Sequence, residues 1–278
     1  MVVVDKDNKH FYIDTRLSLR LDNVIKLVQE DDRDFFFVID GEEGSGKSVL
    51  AMQLATYCDP TFCLERVVFN SKEFKDAVLA GTKGQAIVFD EAFRGLSSRA
   101  ALTEMNKLLV TLMMECRQRN LIIFIVLPTV FMLDKYVALH RARILFHCYQ
   151  KHGRRGFWIC FGKEKMKLLF LKGKATYSYS WPKSDFLGSF LKQYTVNEEA
   201  YREKKRNSFN TIGKSTKSEL YMEQRNILLW YINKRLGKPI VEIANDVDSL
   251  GWIIDQSTIG QNIVAKDKTL KEAGLVKE

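Results

Sequence analysis

The chain has 278 residues, 46% of them hydrophobic and 28% charged, with a formal net charge of +9. That is an ordinary globular composition, long enough for one large domain and a small one, and it argues against a disordered or fibrous protein. The five cysteines form no C-x-x-C pair and read as buried thiols of a reducing compartment, which argues against a disulfide scaffold. The opening Met-Val-Val-Val-Asp-Lys meets charge too early for a signal peptide. The longest apolar run, Leu121–Leu133, contains Pro128 and is too short to span a membrane. A soluble protein is expected, in the cytoplasm of a cell or of a virus-infected host.

In chain order, His10–Asp14 reads as a short strand and Leu19–Val28 as a helix. Asp34–Asp40 encloses Phe-Phe-Phe-Val-Ile, an unbroken apolar run of the kind found in a strand buried on both faces of a parallel sheet. Helix Val49–Tyr57, strand Arg66–Asn70 and helix Lys72–Ala80 follow, the last capped by Ser71 and closed by Gly81. Next come strand Ala86–Phe89, a long helix Ala100–Gln118 opened by Ser97 or Ser98, strand Leu121–Leu127, short helix Leu133–His140 and strand Ile144–Tyr149. Strand and helix alternating at this spacing predict an α/β fold with right-handed crossovers, a mainly parallel sheet flanked by helices.

After Tyr149 the pattern changes. The Gly153-Arg-Arg-Gly156 turn predicts a β-hairpin with Phe157–Phe161, and Lys165–Leu171 and Ala175–Trp181 read as further strands. The domain reading is a large α/β domain over 1–195 with a basic hairpin extension at about 144–181, a polar linker, helical or loose, over 196–218, and a small helical domain over 219–278.

Gly41-Glu42-Glu43-Gly44-Ser45-Gly46-Lys47-Ser48 fits G-x-x-x-x-G-K-[ST], between a buried strand and a helix that opens at Val49. The glycines allow a tight backbone turn whose N–H groups face phosphate, and the helix N-terminus adds partial positive charge. Lys47 is expected at the β- and γ-phosphates of ATP, and Ser48 on Mg²⁺. Downstream, Gln85-Ala-Ile-Val-Phe-Asp90-Glu91 puts two carboxylates at the end of an apolar strand. Asp90 is expected in the Mg²⁺ shell and Glu91 as the base that orients and deprotonates water. The pair favours ATP hydrolysis over transfer to a substrate hydroxyl. Arg117 and Arg119, at the end of the long helix, either complement its dipole or enter a neighbouring subunit's site as an arginine finger. Thr129 offers a hydroxyl at the far end of strand Leu121–Leu127, where a γ-phosphate sensor would sit.

This succession over residues 34–150 resembles the FtsK/HerA superfamily. It consists of a P-loop, Asp-Glu at the end of the third strand, a long helix ending in arginines, and an apolar strand with a polar tip. The group includes DNA-pumping motors, viral genome-packaging ATPases and the Zot-like proteins of filamentous phages. The resemblance implies a homo-oligomeric ring such as a hexamer, acting on DNA and working with a capsid or another DNA-processing protein. Lys47, Ser48, Asp90 and Glu91 would take the catalytic roles and Arg117 or Arg119 the trans-acting one. The family's glutamine at the tip of the fourth core strand is replaced here by Leu127-Pro128-Thr129. AAA+ loaders and transposition helpers are the nearest rivals, and an ATP-switched DNA-binding regulator is a further alternative. The basic hairpin that follows the last core strand, in place of a helical lid, leans against the AAA+ reading.

Residues 151–195 hold ten Lys or Arg against Glu164 and Asp185, interleaved with Phe157, Trp158, Phe161, Phe170, Tyr177, Tyr179 and Trp181. Such a concentration points to a polyanion, DNA first. Arg154 and Arg155 at the turn are candidate phosphate contacts, while most of the rings are expected in a core. Near the C-terminus, Val241–Asp246 and Ser257–Lys266 resemble a helix-turn-helix with Ser257 as N-cap. Thr258, Gln261, Asn262 and Lys266 would face a groove, and Ile259 and Ile263 the core. The connection Asp248–Gln256 is longer than the usual three or four residues or so, and a protein-binding helical bundle is the alternative.

Overall fold

A computed structural model of the chain describes residues 2–6, 9–91, 99–212, 217–249 and 255–272. Strands β1 (Val2–Lys6) and β2 (Lys9–Ile13) form an antiparallel pair. Asp14 then caps α1 (Thr15–Glu30), accepting from the Arg16 N–H at 2.9 Å. Leu17, Leu21, Val24 and Val28 fall on one face of α1 and are buried. The apolar run becomes β3 (Phe35–Gly41), buried at every position and followed by α2 (Lys47–Cys58). The chain continues through β4 (Val67–Val68), α3 (Ser71–Ala80), β5 (Ala86–Phe89), α4 (Arg99–Arg119) and β6 (Ile122–Val126). A 3₁₀ turn and a π turn lead to β7 (Ile144–Lys151), β8 (Arg154–Gly162), α5 (Lys163–Gly173), β9 (Phe186–Ser189) and α6 (Glu198–Ile212).

The seven-stranded sheet has the order β4-β5-β6-β3-β7-β8-β9, with β4 to β7 parallel and β8 and β9 antiparallel. This is the α/β P-loop fold with an added hairpin. Along β3, Phe35, Phe37 and Ile39 pack with α1 and α2, whereas Phe36 and Val38 pack with α3, α4 and α5. The period-two alternation of a strand thus feeds two cores, one on each face. Because the strands are parallel, the loops after β3 and β5 emerge at the same edge. β3 and β5 are separated only by β6, and a ligand site belongs at that edge.

The structure corrects several local expectations. Lys165–Leu171 is not a strand but lies within α5, whose Met166, Leu169, Phe170 and Gly173 are buried at helical spacing. Exposed Leu168 and Leu171 hid that period by making the segment apolar all round. Ala175–Trp181 is irregular, and the strand that follows is β9. Asn70, not Ser71, caps α3: it accepts from the Glu73 N–H at 2.9 Å while Glu73 accepts from the Phe69 N–H at 3.1 Å, a reciprocal box. Ser97 and Ser98, expected to open α4, lie outside the described residues. The stretch read as a helical or loose linker is for the most part helical, as α6, and its Tyr201 is buried in the core.

The chain divides into two compact units after Phe209. The second contains α7 (Lys217–Lys234), α8 (Ile240–Ser249) and α9 (Gln256–Glu272), closed around Leu229, Trp230, Ile243, Val247, Ile259 and Ile263. Trp230 ties α7 to α9 by donating its indole N–H to Asp267 Oδ1 at 2.8 Å. Among the described residues no helix is long and apolar enough to cross a membrane.

Two features of the fold give direct tests. Gly41 has φ +127°, and a Cβ there would lie 1.9 Å from the Cys148 carbonyl oxygen on the paired strand β7. Gly41→Ala is expected to lower the unfolding free energy by more than about 2 kcal/mol in a urea titration. An unchanged midpoint would mean that β3 and β7 yield more than close packing allows. The thiols give a second test. Cys63 is half-buried and the other four are buried. Burial pushes Cys116 up to about 12, and Cys148 and Cys160 higher still. In the native protein at mildly alkaline pH, a thiol reagent should therefore react rapidly at Cys63 alone and reach the rest only in denaturant.

Candidate nucleotide site

The loop after β3 turns through three glycines with positive φ, Gly41, Gly44 and Gly46. Ser45, fully buried, holds the turn by donating from its hydroxyl to the Glu42 carbonyl at 2.8 Å. Gly46 is the N-cap of α2, and no side chain caps that helix end. Its first N–H groups have no side-chain acceptor, which suits an anion. Lys47 Nζ reaches back over the loop and donates to the Gly41 and Glu42 carbonyls, each at 2.7 Å. Burial lowers the Lys47 pKa, while Asp40 and Asp90 are among the groups that oppose the shift.

At the end of β5 Asp90 is completely buried, and its backbone N–H donates to the Val68 carbonyl at 2.9 Å. Ser48 Oγ donates to Asp90 Oδ1 at 3.0 Å. The hydroxyl expected on Mg²⁺ and the carboxylate expected in its shell therefore meet across the intervening strand. Glu91 follows at φ +52°, a left-handed turn at the point where β5 ends.

Two residues of α6 complete this group. Tyr201 donates its hydroxyl to Asp90 Oδ2 at 2.6 Å, and Lys205 Nζ pairs with Glu91 Oε1 at 2.6 Å and Asp90 Oδ2 at 3.5 Å. Burial alone would lower the Lys205 pKa, but the charges of Asp90 and Glu91 and the hydrogen bonds to them outweigh it, and it is raised. Burial and the Asp90 charge push the Tyr201 phenol far up. One positive charge thereby offsets the repulsion between two adjacent carboxylates. Tyr201 and Lys205 stand four apart on one helix face. Their sequence context is a polar, charged run, and nothing local in it says which face meets the sheet.

These residues surround a cleft of about 760 Å³, lined by Glu43 to Val49, Asp90 and Glu91, and also by Arg155, Phe190, Lys192, Tyr194 and Arg202. Gly41 and Glu42 are not part of the lining, and their carbonyls accept from Lys47. The Phe190 ring packs on Gly46 so closely that a Cβ there would sit 2.9 Å from it. The arrangement fits a phosphate chain with a hard cation. Backbone donors and Lys47 face the loop, and Ser48 and Asp90 offer two oxygen ligands, in keeping with a Mg²⁺ whose remaining positions go to phosphate and water.

The other expected site residues fall elsewhere. Thr129 is not part of the lining; its hydroxyl meets the Tyr179 hydroxyl at 2.8 Å, and Tyr179 in turn donates to buried Asp40. His147 Nδ1 meets the other Asp40 oxygen at 2.9 Å. Arg117 and Arg119 stand at the end of α4 that leads into the amino end of β6, the sheet edge opposite the phosphate loop. Arg117 is exposed there and Arg119 donates to the Gly81 carbonyl at 3.3 Å. Arg154 and Arg155 are both exposed at the β7–β8 turn, and of the two Arg155 lines the cleft.

In the second unit, Ile259 and Ile263 are buried. Asp255, not Ser257, caps α9 by accepting from the Thr258 N–H at 2.9 Å. The Thr258 hydroxyl also bonds Asp255, and Lys266 pairs with Glu223 at 2.7 Å. Of the four residues expected to face a groove, Gln261 is exposed and Thr258, Asn262 and Lys266 are half-buried.

No family model matches the chain, and no curated protein matches it. Among solved structures it is similar to the N-terminal domain of zonular occludens toxin from Neisseria meningitidis, at 18% identity and TM-score 0.34. That match covers 61% of this chain and 98% of that one. It is also similar to the replication initiator DnaA bound to AMPPCP and single-stranded DNA, at 11% identity and TM-score 0.34 over 95% and 92% of the two chains. Likeness at this level carries no argument about function.

Proposed function

We propose that the chain binds ATP with Mg²⁺ in this cleft and hydrolyses it, and that it works as an oligomeric motor on DNA. The observation that carries the ATPase reading is the Ser48–Asp90 hydrogen bond, with Glu91 next to it at the cleft wall. Lys47 and the loop N–H groups hold the phosphates, and Ser48 and Asp90 hold Mg²⁺, which supplies charge neutralisation along the phosphate chain. Glu91 orients a water and takes its proton, once its carboxylate is shared between that water and Lys205. Release of inorganic phosphate from ATP, lost in Lys47→Ala, tests this reading.

The DNA part rests on the basic density of residues 151–195. Trp158, Phe161 and Phe170 are buried, whereas Tyr177 and Trp181 are 64% and 52% exposed, near the exposed Lys172, Lys174 and Lys183. Rings open to solvent among cations suit stacking on unpaired bases with phosphate contacts alongside. Arg154 suits a phosphate contact on duplex DNA. Arg154→Ala should flatten the slope of log affinity against log salt by about 0.9. An unchanged slope would remove the hairpin tip from the DNA contact. The separate core of the second unit favours one alternative, in which ATP is a switch and α7 to α9 bind DNA. A motor turns over faster with DNA and a switch does not, so ATPase rates with and without DNA decide between them.

A further inference from the structure

Arg154 and Arg155 are neighbours in a turn whose charge suggests DNA, yet the fold separates them. Only Arg155 lines the cleft. Its Cζ, Nη2 and Nη1 atoms lie 3.7, 3.8 and 3.9 Å from the position a Gly44 Cβ would take. Three nearly equal distances mean that the guanidinium lies across the phosphate loop instead of pointing away from it.

This placement is built into the fold. The next residue, Gly156, has φ +93°, and a Cβ there would come within 2.3 Å of the Phe190 carbonyl oxygen. The Phe190 N–H donates to the Gly156 carbonyl at 2.7 Å, so the start of β8 is locked to the segment after β9. That segment is in turn fastened to α2. Phe190 packs on Gly46, and the buried Gln53 amide donates to the Leu191 and Gln193 carbonyls at 2.9 and 2.8 Å. The backbone carrying Arg155 is thus fixed to the helix whose N-terminus forms the loop.

The cations of the cleft are otherwise engaged. Lys205 pairs with Glu91, Arg202 with Glu198 at 2.6 Å and Lys192 with Glu198 at 3.8 Å, while Lys47 is bonded to loop carbonyls. Among the described residues no carboxylate lies within ion-pair distance of Arg155. A planar fork of N–H donors, held over a glycine loop without an acidic partner, matches the oxygens of a di- or triphosphate.

We infer that Arg155 binds the phosphate chain of the nucleotide from within its own chain, across Gly44 of the loop. The inference rests on the reading of the cleft as a nucleotide site, and it assigns Arg155 to nucleotide in place of DNA. The test is equilibrium binding to the full chain of a non-hydrolysable ATP analogue and of inorganic triphosphate, both with Mg²⁺. Arg155→Ala and Arg155→Gln should weaken both probes by the same factor, about ten- to a hundred-fold. Arg155→Lys should recover part of the loss. Because Arg155 is exposed, the melting temperature should not move. Wild-type affinity for both probes in Arg155→Ala would overturn the inference, and so would a loss confined to the ATP analogue, which would place the contact on the nucleoside. Lys47→Ala separates the two levels. If it abolishes binding while Arg155→Ala does not, only this inference falls; if it leaves binding intact, the nucleotide reading of the cleft falls with it.

Discussion

Glu91→Gln should bind ATP as the wild type does and turn it over about 10²–10⁴-fold more slowly. The amide has the size of the carboxylate and keeps an oxygen to accept from Lys205, so the cleft wall should stand. Asp90, which meets Ser48 and is held by Tyr201, is untouched, and the Mg²⁺ ligands should survive. What is lost is the proton acceptor. Nucleotide binding and single-turnover phosphate release, measured on the same preparation, separate these effects. Wild-type release would reassign the base, and loss of binding would show that Glu91 supports the site itself.

Alanine at Arg117 or Arg119 should cost about 10³–10⁵ in turnover if one of them completes a neighbouring copy's site. Within one chain both stand at the sheet edge away from the phosphate loop, so a catalytic role requires a second copy. Arg117, exposed and not held by a backbone carbonyl as Arg119 is, is the first to test. Mixing the arginine variant with Glu91→Gln should restore part of the activity. At some mixed interfaces an intact Glu91 then faces an intact arginine. Two inactive variants that stay inactive when mixed, with a monomeric ATP-bound particle, would contradict a ring.

The parts of the fold legible in the sequence were those governed by local rules. The buried run 35–39, the glycine spacing from Gly41 to Gly46 and the Asp90-Glu91 pair each carry their chemistry within a few residues. Their spacing also gave the strand–helix alternation from which the parallel sheet follows. What local rules could not show is what the fold brings from afar. Tyr201 and Lys205 lie more than a hundred positions from Asp90, in a helix whose composition reads as solvated. Arg155 was visible as a charge, but only the Gly156–Phe190 lock places it, still exposed, at the cleft. The Thr129 hydroxyl meets that of Tyr179, fifty positions on, and no pattern near Thr129 announces that partner. The helix over Lys165–Leu171 reads as a strand in the sequence because exposed Leu168 and Leu171 mask the helical period.

The central claim is that the cleft at Gly41–Ser48 binds and hydrolyses ATP, and steady-state phosphate release by the full chain with Mg²⁺ tests it most directly. The wild type should complete many turnovers with saturable dependence on ATP, and Lys47→Ala should release no phosphate above background. A wild-type chain that neither releases phosphate nor saturates with ATP, or a Lys47→Ala chain that turns over normally, would contradict the account.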